Sequence, residues 1–441
     1  MKYSDSISYL ESFWKFGIKL GLSRIEHLLE LLDNPHKKFK SVHVAGTNGK
    51  GSVCALTASV LKKAGYKTGL YTSPHLKSYT ERIKINGKNI SRAKFARLIA
   101  KIRAVVERRY DLKELPTEFE LLTAAAFLCF AEEKVDIAVI ETGLGGRLDS
   151  TNVIEPVACA ITNVDLDHCS VLGRTLSSIA KEKAGIIKRG VPVITGCDNP
   201  AALKVIRARC KKQHAELVTC AGKDADITVE RLGTTAKGQM VNIFSADKDI
   251  RGLFLPFLGA HQAINAAVAA ALLLELQNFS ALPAGKAGSD LQHKKFSITE
   301  KAFRRGFSLA IWPARFQVIK KRPLVVLDGA HNPSGIKELF KELTATKRRK
   351  LFAVVGILKD KDYQSMIKEI SDSADLVIAV SPDNPRACTA AVLSGVARKC
   401  GVPAVVASSP KDGLAQALAL ASASDVICVC GSLFTCADIL K

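Results

Sequence analysis

The sequence predicts an α/β protein with two domains, the larger of which is built on a mostly parallel sheet. Three observations predict this fold. Short β-branched strands alternate with helical patterns over roughly the first 200 residues, a glycine-rich turn follows the first of these strands, and a second alternating series begins near residue 311. We therefore place the domains at residues 1–310 and 311–441, with a small antiparallel subsheet in the first.

The composition is typical of a globular protein, because 47% of the 441 residues are apolar and 24% are charged. The longest uninterrupted apolar run, residues 266–274, is far shorter than the ~20 residues that a membrane span needs. No secretory signal is evident, so we expect a cytoplasmic protein without a membrane partner. The net charge of +22 is spread over small clusters without interleaved aromatics, and we interpret most of it as solvated surface.

The chain is predicted to begin with helix over residues 1–33, because apolar residues recur at helical spacing up to Asn34-Pro35. Next comes the most informative stretch, GTNGKGS, which we call the first glycine loop (Gly46–Ser52). A strand precedes it and a helix follows, so its backbone N–H groups can close around a phosphate at the helix N-terminus. Lys50 can reach the outer phosphates, and the Ser52 hydroxyl can bind Mg²⁺.

Polar residues also follow the next three predicted strands. Ser73 follows the strand at residues 67–71, Glu141 follows the strand at residues 136–140, and His168 lies shortly after the strand at residues 157–163. Ligands of open α/β sheets bind at the carboxyl ends of the strands, so these loops can converge. Glu141 opens the second glycine-rich turn, which we call the second glycine loop (Gly143–Ser150, GLGGRLDS).

The pattern changes in the second part of the first domain. Short β patterns between residues 216 and 258, among them ELVTC, predict the antiparallel subsheet, and an alanine-rich buried helix is predicted from Gly259 to Leu276. Residues 277–295 are predicted to be loop and residues 297–309 helix. The second domain then shows the strands LVVLD, LFAVVG, DLVIAV and VICVCG, each followed by a polar or glycine-rich loop.

The motifs GTNGKGS, SPHL, ETGLGGRLDSTN, EKAGI, GAHQ, LDGAHNP and GILKDKD occur in this order between residues 46 and 362. In this combination the chain resembles the folylpolyglutamate synthase/dihydrofolate synthase family of ATP-dependent Mur ligases. The resemblance implies a P-loop ATPase domain and a smaller Rossmann-like glutamate ligase domain. It implies an enzyme that joins L-glutamate to dihydropteroate, or to the γ-carboxylate of reduced folates, through an acyl phosphate. One departure is Ala314, where the family usually has glycine in W-P-G-R.

The resemblance also implies roles for particular residues. Lys50, Lys183 and His331 would be catalytic, and Lys183 matches a lysine that the family carbamylates. Two Mg²⁺ ions would be held by Ser52, Ser73, Glu141, His168 and Lys183. ATP would contact Gly46, Thr47, Asn48, Gly49, Lys50, Gly51, Ser52, Asn265, Arg315 and Asp328. The pterin-bearing acid would contact Ile18, Lys19, Leu20, Thr117, Glu118, Phe119, Glu120, Leu148, Asp149 and Ser150.

Several of these roles have a purely structural alternative. Lys183 could be a surface lysine of an amphipathic helix, Phe119 could be plain core, and Asn265 and His331 could be helix caps. For the whole chain, the alternatives are another Mur-type ligase, such as a cell-wall UDP-sugar peptide ligase, and a nucleic-acid-binding P-loop ATPase. The SPHL and GLGGRLD motifs argue against the first, and the dispersed charge argues against the second. We expect a monomer with small-molecule substrates only.

Overall fold

The computed structural model describes residues 1–17, 19–109, 115–235, 237–246, 248–279, 296–346 and 348–441. It divides into two compact units. The first comprises Met1–Glu230, Asn242–Leu253 and Ile264–Ala310, and the second comprises Arg231–Val241, Phe254–Ala263 and Ile311–Lys441. The long stretch of the second unit begins at Ile311, and the two shorter stretches come from earlier in the chain.

The main sheet has eight strands in the order β4-β3-β2-β5-β1-β6-β7-β8. The strands are β1 (Lys40–Ala45), β2 (Thr68–Tyr71), β3 (Ile83–Ile85), β4 (Lys88–Asn89), β5 (Ile137–Glu141), β6 (Ala158–Ile161), β7 (Val193–Thr195) and β8 (Leu217–Thr219). The strands from β2 to β8 in this order pair in parallel, whereas β3 and β4 are antiparallel additions at one edge. The predicted α/β fold with a mostly parallel sheet is confirmed.

Ten helices occur in the described part of the chain before residue 311. They are α1 (Tyr3–Glu11), α2 (Ser23–Leu31), α3 (Lys50–Lys63), α4 (Arg92–Arg109), α5 (Glu118–Glu132), α6 (Cys169–Leu172), α7 (Leu176–Lys183), α8 (Pro200–Gln213), α9 (Ala260–Phe279) and α10 (Glu300–Ser308). Of these, α5 is buried on every side from Glu120 to Phe130. None of the helices in the described residues is both long and apolar enough to cross a membrane.

Three sequence-based assignments need correction. The predicted helix over residues 1–33 breaks after Glu11, because Gly17 and Gly21 adopt positive φ angles of 58° and 141° that a helix excludes. The segment ELVTC forms β8, which pairs in parallel with β7 and so belongs to the main sheet rather than to the subsheet. The helix α9 continues to Phe279, past the predicted start of a loop; the rest of that predicted loop lies outside the described residues.

A three-stranded sheet in the order β11-β10-β9 is formed by β9 (Ile227–Thr235), β10 (Gly238–Ser245) and β11 (Ile250–Leu255). The last sheet has the order β12-β13-β17-β14-β15-β16. Its strands are β12 (Gln317–Lys321), β13 (Leu324–Leu327), β14 (Leu351–Val355), β15 (Leu376–Ala379), β16 (Ala404–Val406) and β17 (Val426–Cys430). All neighbours in it pair in parallel except β12, which is antiparallel to β13. The helices beside it are α11 (Pro333–Thr344), α12 (Tyr363–Ser371), α13 (Ala390–Lys399), α14 (Pro410–Leu420) and α15 (Leu433–Leu440).

Candidate active site

The first glycine loop joins β1 to α3, and two of its glycines are required by the backbone and by close neighbours. Gly46 and Gly49 have φ angles of 152° and 83°, in the region that favours glycine. A Cβ atom on Gly46 would lie 1.8 Å from Thr162 Oγ1, and one on Gly49 would lie 2.3 Å from Asn265 Oδ1. Because the space beside both residues is filled, the loop keeps a shape that only glycine permits.

The segment after β6 holds the first glycine loop from one side. The backbone N–H of Thr47 donates to the carbonyl oxygen of Asn163 at 3.1 Å, and the N–H of Asn48 donates to Asn163 Oδ1 at 2.7 Å. The Thr162 hydroxyl donates to the carbonyl oxygen of Asn48 at 2.5 Å. The loop is therefore shaped by the neighbouring strand as well as by its own glycines.

Two side chains of the first glycine loop, those of Lys50 and Ser52, have polar atoms that a ligand could use. Lys50 Nζ donates to the carbonyl oxygens of Gly46 and Thr47 at 3.0 and 3.2 Å, so a cation is held over neutral acceptors. Ser52 is fully buried, and its Oγ has no hydrogen-bond partner in the structure. A buried hydroxyl without a partner is costly. Phosphate oxygens would be better acceptors for Lys50, and a cation would use the Ser52 oxygen.

Three of the five proposed metal ligands lie at or after the carboxyl ends of strands of the main sheet. The backbone N–H of Ser73, beyond β2, donates to Glu141 Oε2, at the end of β5, at 3.0 Å. His168 follows β6, on the other side of β1, in the left-handed conformation with φ 51°. Within the described ranges, no three His, Cys, Asp or Glu side chains form a cluster that could hold a metal ion. Mg²⁺ prefers oxygen ligands and keeps water and phosphate oxygens, so two hydroxyls and one carboxylate fit it.

Lys183 is the last residue of α7 and is only 3% exposed, so its interpretation as a surface lysine is wrong. Burial lowers the pKa of its amine well below the usual value, and the nearby charge of Lys50 lowers it further. Three carboxylates oppose this shift; they belong to Asp167, Asp149 and Asp165. Glu182, the preceding residue, instead pairs with Arg147, whose Nη2 lies 2.9 Å from Glu182 Oε1.

The second glycine loop packs against the end of α7. The backbone N–H of Arg147 donates to the carbonyl oxygen of Glu182 at 2.7 Å. A Cβ atom on Gly146 would lie 2.9 Å from the carbonyl oxygens of both Glu182 and Lys183, so glycine is needed for this approach. Asn152 Nδ2 donates to the carbonyl oxygens of Arg147 and Gly185 at 3.0 and 3.2 Å. The second glycine loop and the backbone of Lys183 thus form one packed structure.

Asp149 is buried in the second glycine loop, where its carboxylate is already fully used. Its Oδ1 accepts from the N–H and the hydroxyl of Thr151 at 3.0 and 2.5 Å, and its Oδ2 accepts from Leu144 N at 2.8 Å. Burial raises the pKa of this carboxyl, and these hydrogen bonds act in the opposite direction. The family resemblance implies that Asp149 contacts the pterin-bearing acid, whereas the hydrogen bonds of its carboxylate suit a role in holding the loop.

The other proposed contacts of the pterin-bearing acid lie near the start of α5. Phe119 is half-buried and stacks on Tyr71, with ring centroids 6.0 Å apart and an interplanar angle of 24°. Its ring also fills the space where a Cβ of Gly143 would lie. Glu118 accepts a hydrogen bond from the Tyr79 hydroxyl at 2.8 Å. Leu148 is half-buried, and the buried Ser150 hydroxyl lies 2.9 Å from Thr123 Oγ1.

Arg24 links two of the proposed substrate segments and was missed in the sequence. Its guanidinium lies 3.1 Å from Glu120 Oε1 and also donates to the carbonyl oxygen of Lys19 at 2.8 Å. Glu120 in turn accepts from the N–H of Thr117 at 2.6 Å, in the capping box of α5. Of the other two N-terminal candidates, Leu20 is 40% exposed and Ile18 lies outside the described residues. No periodicity or motif in the sequence indicated this arginine.

In the second unit, Asp328 organises the turn that follows β13. Its two oxygens accept from the N–H groups of Phe316 and Ala330 at 2.7 and 2.8 Å. Arg315 Nη1 donates to the carbonyl oxygen of Ala314 at 3.0 Å, and His331 Nδ1 lies 2.9 Å from the carbonyl oxygen of Gly329.

Neither Asn265 nor His331 caps a helix. The N-cap of α11 is Asn332, whose Oδ1 accepts from Gly335 N at 2.8 Å. Asn265 lies inside α9, in the first unit, where it packs against Gly49. The helix-cap alternative for these two residues is therefore wrong. The proposed contact of Asn265 with ATP and the proposed catalytic role of His331 remain predictions.

Two family descriptions match this chain. Residues 44–273 match the Mur ligase middle domain, and residues 314–433 match the Mur ligase glutamate ligase domain. The dihydrofolate synthase/folylpolyglutamate synthase of Bacillus subtilis is 37% identical over 450 residues, which cover 100% of this chain and 98% of the relative. The folylpolyglutamate synthase of Lacticaseibacillus casei is 36% identical, covering 98% of this chain and 97% of the relative.

A solved structure agrees with these sequence matches. E. coli FolC, in complex with DHPP and ADP, is 30% identical to this chain and superposes with a TM-score of 0.86. The alignment covers 100% of this chain and 97% of the FolC chain. The similarity therefore extends over both units and is not restricted to the glycine loops.

Proposed function

This chain belongs to the dihydrofolate synthase/folylpolyglutamate synthase family of Mur ligases, and from that premise we propose that it adds L-glutamate to dihydropteroate, to the γ-carboxylate of reduced folates, or to both. It is an ATP-dependent acid–amino-acid ligase. The observation that supports this most is the buried Lys183, whose pKa is lowered partly by the charge of Lys50 in the first glycine loop. A phosphate-binding lysine and a buried amine whose charged form is disfavoured would then serve one site.

The proposed reaction has two steps. The substrate carboxylate attacks the γ-phosphorus of ATP, which forms an acyl phosphate and releases ADP. The amine of glutamate then attacks the acyl carbon, and the tetrahedral intermediate expels phosphate while the amine loses its proton. Negative charge develops on phosphoryl oxygens in the first step and on the former carbonyl oxygen of the tetrahedral intermediate in the second, so positioning and electrostatic stabilisation contribute more than covalent chemistry.

We assign the phosphate groups to the first glycine loop. Its N–H groups and the N-terminus of α3 attract the phosphates, and Lys50 exchanges its two carbonyl contacts for phosphate oxygens. Ser52, Ser73, Glu141 and His168 would hold Mg²⁺, and two ions are expected. When bound, Mg²⁺ neutralises charge that develops on the phosphoryl oxygens. The partnerless Ser52 oxygen is the observation in favour of a cation here.

Lys183 is proposed to be carbamylated. Addition of CO₂ needs a neutral amine, and burial next to Lys50 favours the neutral form by lowering the pKa of Lys183. The carbamate would turn a buried cation into an anion, which could bind the second Mg²⁺. Glu182 does not oppose this, because its carboxylate is directed to Arg147.

The remaining assignments follow the family resemblance. Residues 1–310 are proposed as the ATP-binding catalytic domain and residues 311–441 as the glutamate ligase domain. ATP would also contact Asn265, Arg315 and Asp328, and His331 would lie near the reacting groups. A monomer in the cytoplasm, without nucleic acid or membrane partners, is proposed. All twelve cysteines are free thiols, and all except Cys169 and Cys400 are buried, as suits a reducing compartment.

The function is tested by ADP release with dihydropteroate, dihydrofolate and tetrahydrofolate, each with and without L-glutamate. We expect release that depends on both the pterin acid and glutamate, and a product heavier by one glutamyl residue in mass spectrometry. Product with dihydropteroate alone assigns a dihydrofolate synthase, and product with tetrahydrofolate alone assigns a folylpolyglutamate synthase. Turnover only with a UDP-sugar acid would instead favour the cell-wall ligase.

A further inference from the structure

His43 is a fully buried histidine at the centre of the main sheet, and no role in the reaction has been assigned to it. It lies on β1, between Ile140 of β5 and Cys159 of β6. These two neighbours belong to two separate apolar clusters of the first unit. An imidazole therefore occupies a position that is apolar on both neighbouring strands.

The imidazole is connected to the second glycine loop through one hydroxyl. His43 Nε2 lies 2.8 Å from Thr151 Oγ1, and this hydroxyl donates to Asp149 Oδ1. Because the Thr151 proton is given to the carboxylate, its oxygen must accept, so His43 carries its proton on Nε2. The hydrogen bonds thus run in one direction, from the strand through Thr151 to Asp149.

The other ring nitrogen, Nδ1, accepts no hydrogen bond. His43 Nδ1 is buried and has no hydrogen-bond partner in the described structure. Burial lowers the pKa of the imidazole to about 3, so the ring is neutral at physiological pH. A buried nitrogen without a partner destabilises a protein, and an apolar side chain of similar volume would avoid this cost. What the histidine adds, and leucine would not, is the Nε2–H donor.

The donor acts on the segment that carries the proposed substrate contacts. Asp149, oriented by Thr151, also accepts from Leu144 N at the start of the second glycine loop. One carboxylate therefore ties the two ends of this loop together. The first glycine loop, by contrast, is held by Thr162 and Asn163.

We propose that His43 is a positioning residue for the second glycine loop: its Nε2–H orients Thr151 and Asp149, and so fixes the loop in the shape that binds the pterin-bearing acid. This inference rests on the proposed function for the identity of the ligand. It does not make His43 a catalytic residue, because the imidazole acts only through Thr151. ATP binding should be independent of it.

The test compares His43→Leu, which removes the donor, with His43→Gln, whose amide nitrogen can take the place of Nε2–H. Thr151→Val breaks the same connection from its other side. Ser394→Ala is the matched control, since it deletes a buried hydroxyl without a partner in the second unit. Steady-state kinetics give the KM for the pterin acid and for ATP, and hydrogen exchange of the apo protein follows the amides of residues 143–153.

We expect His43→Leu and Thr151→Val to raise the KM for the pterin acid about tenfold, with the KM for ATP unchanged. The Tm should stay within about 3 °C of the parent, and exchange in residues 143–153 should accelerate. His43→Gln should restore most of the affinity and protection, and Ser394→Ala should change neither.

A purely structural role predicts a different result. The proposal is overturned if His43→Leu lowers the Tm and impairs both substrates equally, or if exchange and the KM for the pterin acid stay at parental values. If the parent shows no turnover with any pterin acid, the proposed function fails on its own. The exchange data then still decide whether His43 positions the loop.

Discussion

The first glycine loop follows β1 and the second follows β5, and these two strands pair directly in the main sheet. In the first, Lys50 rests on neutral carbonyl oxygens and the Ser52 hydroxyl has no partner. In the second, Asp149 accepts three hydrogen bonds and Arg147 is paired with Glu182. The two loops are neighbours and both are rich in glycine. The polar side chains of the first are available to a ligand, whereas those of the second are already hydrogen-bonded or ion-paired within the protein.

This difference indicates how the two loops contribute to the site. The first loop can exchange weak internal contacts for a charged ligand, so its side chains should matter for the rate. The second loop is complete before any ligand arrives, so its side chains should matter for shape and stability. Preorganised groups of this kind cost no rearrangement when substrate binds.

The largest effect is expected at the first glycine loop. Lys50→Ala should reduce turnover by about 10³-fold or more, because Lys50 is the lysine that the first glycine loop offers to the transferring phosphoryl group. The Tm of the apo protein should not fall, since in the described residues the Lys50 amine donates only to the carbonyl oxygens of Gly46 and Thr47 in its own loop. Both are measured by ADP release and a thermal melt. Lys62→Ala, which removes an exposed lysine of the same helix, α3, is the control. Activity of Lys50→Ala within about tenfold of the parent would refute the assignment of Lys50 to the phosphates.

Lys183 is connected to both loops. Its carbonyl oxygen packs on Gly146 of the second loop, and the charge of Lys50 in the first loop lowers the pKa of its amine. Lys183→Ala should lose about 10²-fold in rate and regain part of it with acetate, which can replace the carbamate anion. Lys183→Arg keeps the positive charge and cannot be carbamylated, so it should remain inactive with acetate. The measurement is the rate of ADP release as acetate is titrated.

A direct observation of the carbamate completes this test. Incubation with ¹³C-bicarbonate at neutral pH should give a carbamate signal in the NMR spectrum of the parent. The signal should persist in Lys181→Ala, which removes an exposed lysine of the same helix, and vanish in Lys183→Ala. Full activity in Lys183→Arg would mean that the residue acts as a cation.

The difference between the two loops could be predicted from the sequence only where it depends on residues that are close together in the chain. The phosphate-binding loop was predictable, because its chemistry lies in seven consecutive residues. The use of Asp149 was not, because its acceptor role is filled by Leu144 and Thr151 only once the loop has folded. His43 lies in the strand that precedes the first glycine loop, and a strand pattern does not reveal its hydrogen bond to Thr151.

The fold shows the same limit. The strands and helices with strong periodicity were placed correctly, but the break between α1 and α2 depends on the positive φ angles of Gly17 and Gly21. A helical pattern can continue through glycines, so the break was not visible. Similarly, the segment that forms β8 carries no signal that it pairs with β7 and not with the subsheet.

The second glycine loop depends on a neutral histidine, which gives stability a pH dependence. The pKa of His43 is lowered from 6.5 to about 3, so between these values the unfolded chain binds more protons than the folded one. Stability is therefore complete above the unfolded pKa and is lost as pH falls. Urea unfolding should show that the parent loses about 2 kcal/mol more than His43→Gln between pH 6.5 and 5.0.

The comparison with His43→Gln isolates this contribution. Other buried histidines with lowered pKa values, such as His36, are present in both proteins and cancel. Parallel stability curves for the two proteins would show that His43 does not titrate with folding. The stability of the second glycine loop would then not depend on a neutral imidazole at position 43.

A smaller effect is expected at Glu141 and His168, two proposed metal ligands that lie outside both glycine loops, at or after the ends of the strands on either side of β1. Glu141→Ala and His168→Ala should each raise the Mg²⁺ concentration for half-maximal rate about tenfold, because each removes one ligand of several. His214→Ala is the matched control, since His214 has the same left-handed φ and ψ of 51° and 38° as His168. Parental Mg²⁺ titrations in both variants would place the ion elsewhere.

The smallest effect concerns Ala314, at which the glycine of the family motif is absent. Ala314 is fully buried with φ 54°, a conformation that costs alanine about 1–2 kcal/mol and glycine nothing. Ala314→Gly relieves this cost, but it adds about 0.5–1 kcal/mol of unfolded-state entropy and removes a buried methyl group worth about 0.8 kcal/mol. These terms nearly cancel, so urea unfolding of Ala314→Gly should agree with the parent within about 1 kcal/mol.

Ala314→Val is the informative partner, because a β-branched residue is far less tolerant of this backbone. It should destabilise the second unit by more than about 2 kcal/mol. If both variants behave like the parent, the left-handed backbone at residue 314 is not rigid. Residue 314 then requires glycine only weakly. At Gly46, by contrast, an added Cβ would overlap Thr162, so alanine is not tolerated there.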